Sequence, residues 1–236
     1  MRAAILQCDE VAERFRPRFG DYAGMIRRLF ETTGETIDWE LFDCRREQYP
    51  ADPAEYDFFI TTGSRASAYD PDPWIGRLIA FIRRLDADGH VLIGICFGHQ
   101  AIAMAGHGRV ERSTRGWGLG LSRNRLAHRP PWMADAPEEL RMIVSHQDQV
   151  TALAGSPLVI AESDFCPYFM VQWNDHFLSV QGHPEWQPDY ARALLEDRRA
   201  ELPPERVEAA FRSLEEAAPD NAAFARWALA FIRDRA

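Results

Sequence analysis

The chain has 236 residues, of which 46% are hydrophobic, so it can bury one large core or two small ones. Its net charge of −9 argues against a protein that binds the phosphate backbone of nucleic acids, and no apolar stretch is long enough to span a membrane. The apolar segment at the N-terminus is too short for a signal peptide. The isolated cysteines Cys8, Cys44, Cys96 and Cys166 suggest a reducing compartment, so we expect a cytoplasmic protein without a disulfide framework or zinc ribbon.

The first hundred residues alternate between short apolar runs and amphipathic stretches. Strands are predicted at residues 3–8, 37–42, 56–62 and 90–95. Helices are predicted at residues 22–30 and 74–85, where apolar residues recur at intervals of three and four. This alternation is typical of an α/β fold with a mostly parallel sheet, in which ligands bind beyond the carboxyl ends of the strands.

After Gly106 the pattern changes to short strand candidates separated by turns. They lie at residues 109–111, 118–122, 140–145, 158–162, 168–172 and 177–181. We expect them to form antiparallel edge strands and then to return the chain to the main sheet. Residues 109–129 include six arginines, which fit either a solvated face or a rim that contacts an anion or a partner.

The remainder of the chain, from Pro188, is predicted to form three helices divided by Pro203-Pro204 and Pro219. The last helix places five apolar residues on one face, which predicts that it docks on the rest of the chain. No repeat or long linker divides the sequence. We therefore expect a single domain over residues 1–236, with residues 187–236 as a helical extension packed on it.

One stretch combines a buried strand, a sharp turn and a helix. Residues 91–103 have the sequence VLIGICFGHQAIA, in which Gly94 and Gly98 flank Cys96. A glycine on each side of a nucleophile at such a turn is typical of a nucleophile elbow, and a helix N-terminus favours the thiolate form of a cysteine. The alternative is a buried structural cysteine at the end of a strand.

A second stretch contains the groups that a thiolate nucleophile requires, namely a base and a carboxylate that orients it. His183 and Glu185 follow the last predicted strand in the sequence SVQGHPEW, and Pro184 stiffens the link between them. Both stretches lie beyond strand ends, so Cys96, His183 and Glu185 are predicted to form a catalytic triad. A histidine in a surface turn is the alternative interpretation of His183.

These two motifs, Gly-Ile-Cys-Phe-Gly-His-Gln at residues 94–100 and Gly-His-Pro-Glu at residues 182–185, resemble those of class I (triad-type) glutamine amidotransferase domains. The resemblance covers most of residues 1–187, including Thr-Thr-Gly-Ser at 61–64 and Ser-His-Gln-Asp-Gln-Val at 145–150. Within the family, the chain most resembles stand-alone domains similar to the amidotransferase half of GMP synthase, including γ-glutamyl peptidase-like members. The implied fold is a flavodoxin-like three-layer sandwich with a mostly parallel central sheet, antiparallel edge strands and a C-terminal helical extension.

The resemblance also implies roles for individual residues. Cys96 would attack the γ-carbonyl of a glutamine or γ-glutamyl group, His183 would shuttle the proton, and Glu185 would orient His183. Backbone N–H groups of Gly63 and Phe97 would hold the oxyanion of a γ-glutamyl thioester intermediate. The implied substrate-binding residues are Gln100, His146, Gln147 and Asp148. For the last three, an ordinary polar loop is the alternative.

Three functions remain open at this point. In the first, the chain itself hydrolyses or transfers γ-glutamyl amides. In the second, it supplies ammonia to a synthetase, which would be another chain because this one has no phosphate loop of its own. The third is a non-catalytic regulatory module, which the intact triad argues against. We expect a small-molecule substrate and no cofactor or metal, since a metal pair of Cys96 and His99 would lack further ligands. A synthetase chain and a second copy of this chain are the partners to consider.

Overall fold

The computed structural model describes residues 1–235 as a nine-stranded sheet, a separate two-stranded sheet and surrounding helices. The strands are β1 (Arg2–Gln7), β2 (Asp38–Asp43), β3 (Phe58–Thr61), β4 (Leu92–Ile95), β5 (Arg109–Arg112), β6 (Gly118–Leu126), β7 (Glu139–His146), β8 (Asp148–Ala152), β9 (Leu158–Glu162), β10 (Met170–Gln172) and β11 (Phe177–Val180). The helices are α1 (Arg16–Phe19), α2 (Tyr22–Glu31), α3 (Pro73–Ala87), α4 (Phe97–Ala105), α5 (Pro188–Asp197), α6 (Pro204–Glu216) and α7 (Asn221–Arg233). Short 3-10 turns lie at Glu13–Phe15, Cys44–Arg46 and Pro53–Glu55.

The large sheet has the strand order β2-β1-β3-β4-β11-β10-β9-β6-β7. The five strands from β2 to β11 are parallel to one another, in the order that defines flavodoxin-like sheets. The pairs from β11 to β7 are antiparallel, and β5 pairs with β8 in the small sheet. The predicted parallel sheet with antiparallel edge strands is therefore confirmed, including the return of the chain through β11.

Alternating side chains of the buried strands face two helical layers. Ala3 and Ile5 of β1 pack in the cluster that contains α2 and α7, whereas Ala4 and Leu6 pack in the cluster that contains α3 and α4. Because consecutive side chains of a strand point to opposite faces, one apolar strand supplies both cores. The three-layer sandwich is confirmed. Strand β8 was not predicted from the sequence, because three of its five residues are polar.

The C-terminal helices pack against the sheet layers. Helix α7 contributes Phe224, Trp227 and Phe231 to the cluster that contains α2, as its apolar face predicted. Helices α5 and α6 pack in another cluster with Leu121 of β6 and Ile143 of β7. The organisation of residues 1–236 as a single domain stays a prediction. Among residues 1–235, no helix combines the length and the apolarity needed to cross a membrane.

The turn between β4 and α4 brings the helix unusually close to the sheet. A Cβ atom on Gly98 would lie 1.6 Å from Thr61 Oγ1, which itself accepts a hydrogen bond from Ile95 N at 3.1 Å. A Cβ atom on Gly94 would lie 2.6 Å from Ile102 Cδ1 and 3.0 Å from Gly98 O. Helix and strands can therefore approach this closely only because both positions lack a side chain.

The substitution Gly98→Ala is expected to lower the free energy of unfolding by about 3 kcal/mol, because the added methyl group overlaps a fixed threonine. Gly76→Ala is the matched control, since Gly76 also lies in a helix but has no atom within 4 Å of a built Cβ. That control should stabilise the chain by about 0.5–1 kcal/mol through helix propensity. Urea denaturation of both variants measures the difference, and equal effects would contradict the close approach at Gly98.

Candidate active site

Cys96 occupies the turn between β4 and α4 in a strained backbone conformation. Its φ of 49° and ψ of −98° lie in a region that non-glycine residues rarely adopt. Two hydrogen bonds hold this conformation, from Cys96 N to Val180 O at 2.8 Å and from Gln100 N to Cys96 O at 3.2 Å. The nucleophile elbow predicted from the two glycines is thus present as a geometry, and Cys96 lines a cleft beyond the carboxyl ends of the parallel strands.

His183 and Glu185 lie just after the neighbouring strand β11 and form a buried pair. His183 Nδ1 lies 2.8 Å from Glu185 Oε1, and the two side chains are 4% and 1% exposed. The backbone N–H of His183 donates to Ile143 O at 2.8 Å, which fixes the turn. Trp186 stacks on the imidazole with 3.7 Å between ring centroids and 10° between planes. With Nδ1 bound and one face covered, the free nitrogen of His183 is Nε2.

The imidazole is charged in this environment. Burial lowers the pKa of His183, but the charges of the Cys96 thiolate and the Glu185 carboxylate outweigh burial and raise the pKa to about 10. At neutral pH His183 is therefore an imidazolium that lies beside Cys96. Such a pair combines a nucleophile with a proton donor, which is what attack on an amide and expulsion of an amine require.

Gly63 and Phe97 flank Cys96 from two different elements. A Cβ atom on Gly63 would lie 2.7 Å from His183 Cε1 and 3.6 Å from Cys96 Cβ, so the backbone touches both residues only because Gly63 lacks a side chain. Phe97 is the first residue of α4, and the N–H groups of a first helical turn have no partner within the helix. Both predicted oxyanion donors thus lie next to the nucleophile.

A row of buried amide groups connects the cleft to the cysteine sulfur. Gln100 Nε2 donates to Asp148 O at 2.9 Å and to Gln181 Oε1 at 3.2 Å, and Gln181 Nε2 donates to Cys96 Sγ at 3.5 Å. Gln181 was not predicted as a site residue. Its signal in the sequence is a polar side chain at the end of an otherwise apolar strand, two residues before His183. Gln181 is completely buried, which makes its hydrogen bonds obligatory.

The other predicted substrate-binding residues lie on the same side of the cleft. His146 Nδ1 lies 3.0 Å from Asp148 O, and burial together with the charge of His183 lowers the pKa of His146 to about 4. His146 is therefore neutral at neutral pH. Asp148 accepts a hydrogen bond from the Ser67 hydroxyl and, contrary to the loop interpretation, begins strand β8. Gln147 is half-buried at the cleft surface.

His99 and the arginines of residues 109–129 lie in different parts of the molecule. His99 is completely buried away from the cleft, with Nδ1 2.7 Å from Ser179 Oγ, and burial lowers its pKa to about 3. Of the six arginines in residues 109–129, Arg112 lines the cleft. Arg123 and Arg125 instead form exposed ion pairs with Glu139 and Glu162. The interpretation as a solvated face thus fits Arg123 and Arg125, whereas the position of Arg112 fits the interpretation as a rim that contacts an anion.

The cleft has a volume of about 590 Å³ and extends well beyond the triad. The connection from β1 to α2 and the start of the C-terminal helices complete its walls. The residues they contribute are Glu10, Ala12, Arg14, Phe15, Tyr22, Tyr190, Leu194, Asp197, Arg198 and Glu201. No site role was predicted for these residues, because their amphipathic and polar patterns are the same whether a side chain faces a cleft or solvent.

The solved structures that superpose on this chain include two glutamine amidotransferases. One from Thermotoga maritima superposes with a TM-score of 0.75 at 17% identity, covering 99% of this chain and 96% of that chain. Another, from Methylobacillus flagellatus, superposes with a TM-score of 0.72 at 22% identity, covering 98% and 92%. At these identities the likeness concerns the fold alone.

The sequence comparison defines the family. The family model "Glutamine amidotransferase class-I" matches residues 25–200, and the chain belongs to that family, as its motifs indicated. It is 31% identical over 193 residues to γ-glutamyl peptidase 3 of Arabidopsis thaliana, covering 78% of this chain and 76% of the relative. It is 27% identical over 220 residues to a γ-glutamyl-L-1-hydroxyisopropylamide hydrolase of Pseudomonas sp, covering 82% and 74%.

The variant Cys96→Ser is expected to lower the pKa of His183 from about 10, because it removes the thiolate whose charge is the largest raising influence. Proton chemical shifts of ¹³C-labelled histidine measure this pKa, and a His183→Gln spectrum assigns the signal among the seven histidines. The control is Cys44→Ser, at a buried cysteine outside the cleft, which should leave the titration in place. An unchanged titration in Cys96→Ser would contradict the influence of Cys96 on the pKa of His183.

Proposed function

We propose that the chain hydrolyses γ-glutamyl amides through a γ-glutamyl thioester on Cys96. The observation that supports this most is the convergence of an elbow cysteine and a buried His183–Glu185 pair on the backbone of Gly63. A nucleophile, a proton donor and two backbone N–H groups then surround one point in the cleft. That arrangement suits acyl transfer, in which negative charge develops on a carbonyl oxygen.

The reaction proceeds in two halves. Cys96 Sγ attacks the γ-carbonyl carbon, and the N–H groups of Gly63 and Phe97 stabilise the oxyanion. His183 donates its proton to the leaving nitrogen, the C–N bond breaks, and the thioester remains. Water then attacks the thioester with His183 as the base, and glutamate and the thiolate are released. Glu185 keeps His183 oriented and stabilises its charged form.

The polar side of the cleft has the groups that a glutamyl head group requires. Gln100, His146, Gln147 and Asp148 surround it, and Arg112 lies directly opposite Asp148 in the antiparallel pair of β5 and β8. The carboxylate of Asp148 suits the α-ammonium group, and the guanidinium of Arg112 suits the α-carboxylate. Side chains at such opposed positions lie about 5 Å apart at Cβ, close enough to hold both groups of one amino acid.

Two observations favour hydrolysis by the chain itself over delivery of ammonia to a separate synthetase. Relatives are named γ-glutamyl peptidase and γ-glutamyl-L-1-hydroxyisopropylamide hydrolase, and both names describe γ-glutamyl amides with organic leaving groups. The cleft of about 590 Å³ also lies within the range of roughly 300–1,000 Å³ that holds whole small molecules. A leaving group as small as ammonia does not require this space.

The setting of the reaction is also part of the proposal. All four cysteines are free thiols, which supports a reducing compartment such as the cytoplasm. The cleft is lined by residues from Glu10 to Glu201, and helix α7 packs in the same core as α2, which supports a single domain over residues 1–236. A second copy of this chain or a synthetase chain stays among the partners to test.

The purified full chain is expected to release glutamate from glutamine or simple γ-glutamyl alkylamides, and Cys96→Ser should reduce the rate at least about a thousandfold. A diazoketone analogue of glutamine should label Cys96, as mapped by mass spectrometry. Cys44→Ser is the control, because Cys44 is buried outside the cleft, and it should retain activity.

Three results would contradict this proposal in different ways. Label found on Cys8, Cys44 or Cys166 but not on Cys96 would reject Cys96 as the nucleophile. Glutamate release that begins only when a second chain is added would favour an ammonia-supplying subunit. Absence of turnover, with no effect of Cys96→Ser on any biological output, would favour a regulatory module.

A further inference from the structure

We propose that the leaving amine carries an uncharged aromatic or bulky apolar substituent, an inference that rests on the proposed hydrolysis of γ-glutamyl amides. The cleft residues form two groups. The polar group is connected to Cys96 through Gln181, as described above. The second group is connected to His183 through Trp186 and consists of Phe15, Tyr22, Trp117, Trp186, Tyr190 and Leu194.

Four aromatic rings of the second group, those of Trp186, Tyr190, Tyr22 and Phe15, form a connected series that starts at the imidazole of His183. Trp186 stacks on His183, and Tyr190 meets Trp186 edge-on with 5.0 Å between centroids. Tyr22 and Phe15 meet Tyr190 edge-on at 6.3 Å and 6.2 Å. The hydroxyl groups of Tyr22 and Tyr190 lie 3.2 Å apart and form a hydrogen bond with each other. They therefore add little polarity to the second group of residues, which is called the aromatic wall below.

The proposed mechanism determines which part of the substrate contacts the aromatic wall. The leaving nitrogen must lie beside His183, which protonates it, and its substituent therefore extends toward the rings that follow His183. The glutamyl head group carries two charges and would lose its hydration against an apolar wall without gaining partners. It therefore occupies the polar side, and the aromatic wall is left for the leaving group.

The charges around the wall argue against a carboxylate on the leaving group. The rim of this side contains three carboxylates and two guanidiniums, from Glu10, Asp197, Glu201, Arg14 and Arg198. Arg14 Nε donates to Asp197 at 2.6 Å, and Arg198 lies 3.6 Å from Glu201 with its guanidinium over Trp117. Both guanidiniums are thus paired, and Glu10 is paired as well, with Arg16 at 2.9 Å and Arg45 at 3.0 Å. The described residues of this rim therefore offer a further anion no unpaired cation.

One more arginine, Arg65, also lines the cleft. It donates to both oxygens of the Asp9 carboxylate, at 2.8 Å and 2.9 Å, and that carboxylate is 7% exposed. This bidentate pair neutralises Arg65. A leaving group that ends in a carboxylate therefore finds no unpaired cation on this side, unlike the head group, which faces Arg112.

Three amides with matched leaving groups test this inference: γ-glutamyl-2-phenylethylamide, γ-glutamylethylamide and γ-glutamyl-phenylalanine. Glutamate release by the purified full chain gives kcat/KM for each. The phenylethylamide should exceed the ethylamide by at least about tenfold because its ring is buried on the wall. It should also exceed γ-glutamyl-phenylalanine, which differs from it only by the added carboxylate.

Substitutions in the aromatic wall test whether it causes the preference for the phenylethylamide. Phe15→Ala and Leu194→Ala, at two half-buried positions, should lower kcat/KM for the phenylethylamide more than for the ethylamide. Leu41→Ala is the control, because Leu41 is an exposed leucine of β2 outside the cleft, and it should leave all three values unchanged.

The outcomes separate this inference from the function on which it rests. If none of the three amides, nor glutamine, releases glutamate, the proposed function fails and the inference fails with it. Equal rates for all three, or a preference for the ethylamide or for γ-glutamyl-phenylalanine, would leave hydrolysis standing and overturn the assignment of the leaving group. A preference of a γ-glutamyl-4-aminobutylamide over the phenylethylamide would also overturn it, in favour of a cationic amine.

A second inference comes from the row of buried amides: we propose that Gln181 is a positioning residue for the Cys96 thiolate. The carbonyl oxygen of Asp148 can only accept a hydrogen bond, so the group of Gln100 that faces it is the NH₂ group. The same NH₂ group reaches Gln181 Oε1, which turns the NH₂ group of Gln181 toward Cys96 Sγ. A single backbone carbonyl thus orients both amides.

An N–H group directed at sulfur stabilises the thiolate relative to the thiol, because a hydrogen bond to a charged acceptor is stronger than one to a neutral acceptor. The other titratable groups that interact with Cys96 are His183 and Cys166, and His146 interacts with His183. These groups are unchanged when Gln181 is substituted, so a change in Cys96 reactivity reports the loss of its amide.

The test is the pH dependence of Cys96 alkylation by iodoacetamide in the native full chain. Gln181→Met keeps the size of the side chain and removes the donor, and it should raise the midpoint of the profile by about one pH unit. The control Gln172→Met removes a half-buried amide that donates to Asn174 O, and it should leave the midpoint in place.

An unchanged midpoint in Gln181→Met would overturn the role of Gln181. If that variant fails to fold, Cys8, Cys44 and Cys166 will also be alkylated, because these thiols are protected only by burial. Gln181→Glu then decides, since it keeps the acceptor for Gln100 but presents no donor to sulfur. A midpoint at the wild-type value in that variant would equally reject the inference.

Discussion

The site depends on backbone positions at which no side chain fits. At Gly98 a single methyl group would overlap Thr61, and at Gly63 it would overlap the ring of His183. These two positions let α4 approach β3 and let the backbone after β3 approach the nucleophile. The strained φ of Cys96 follows from the same turn, because the chain reverses between a buried strand and a helix that lies against it. Removing side chains at these points is what brings Cys96, His183 and two backbone N–H groups together.

Charge burial is the second constraint on the site. His183 and Glu185 are almost fully buried, and isolated charges in such a place would be strongly disfavoured. Their mutual hydrogen bond offsets the loss of hydration, while Trp186 covers the ring face that water would otherwise reach. The neutral His146 adjacent to this group adds no further charge. The same burial that makes the pair costly also makes it rigid, which suits groups that exchange a proton over a fixed distance.

The parallel sheet and the parts added to it contribute differently to the cleft. Strands β3, β4 and β11 end just before Gly63, Cys96 and His183, the residues of the proposed chemistry. The connection before α2 and the helices after Trp186 supply the aromatic wall and its charged rim. The proposed type of reaction is thus tied to the sheet, whereas the proposed preference for one leaving group over another is tied to segments that pack beside it. A family can retain the first and vary the second, because loops and terminal helices tolerate change better than buried strands.

Most of the strand and helix pattern, the α/β class with a mostly parallel sheet and the residues of the candidate triad followed from the amino-acid sequence, and the flavodoxin-like class followed from the resemblance of the motifs to a known family. Apolar periodicity and glycine spacing are local properties, and the chain carries them wherever it folds. Local pattern could not reveal that Gln181 faces Cys96 Sγ, that Asp148 begins a strand, or that Phe15 and Leu194 share one cleft. Those facts depend on contacts between segments far apart along the chain, and an amphipathic stretch has the same pattern whether it faces a core, a cleft or water. Tertiary structure alone decided them, because only packing brings residues 15, 22, 186, 190 and 194 onto one wall next to His183.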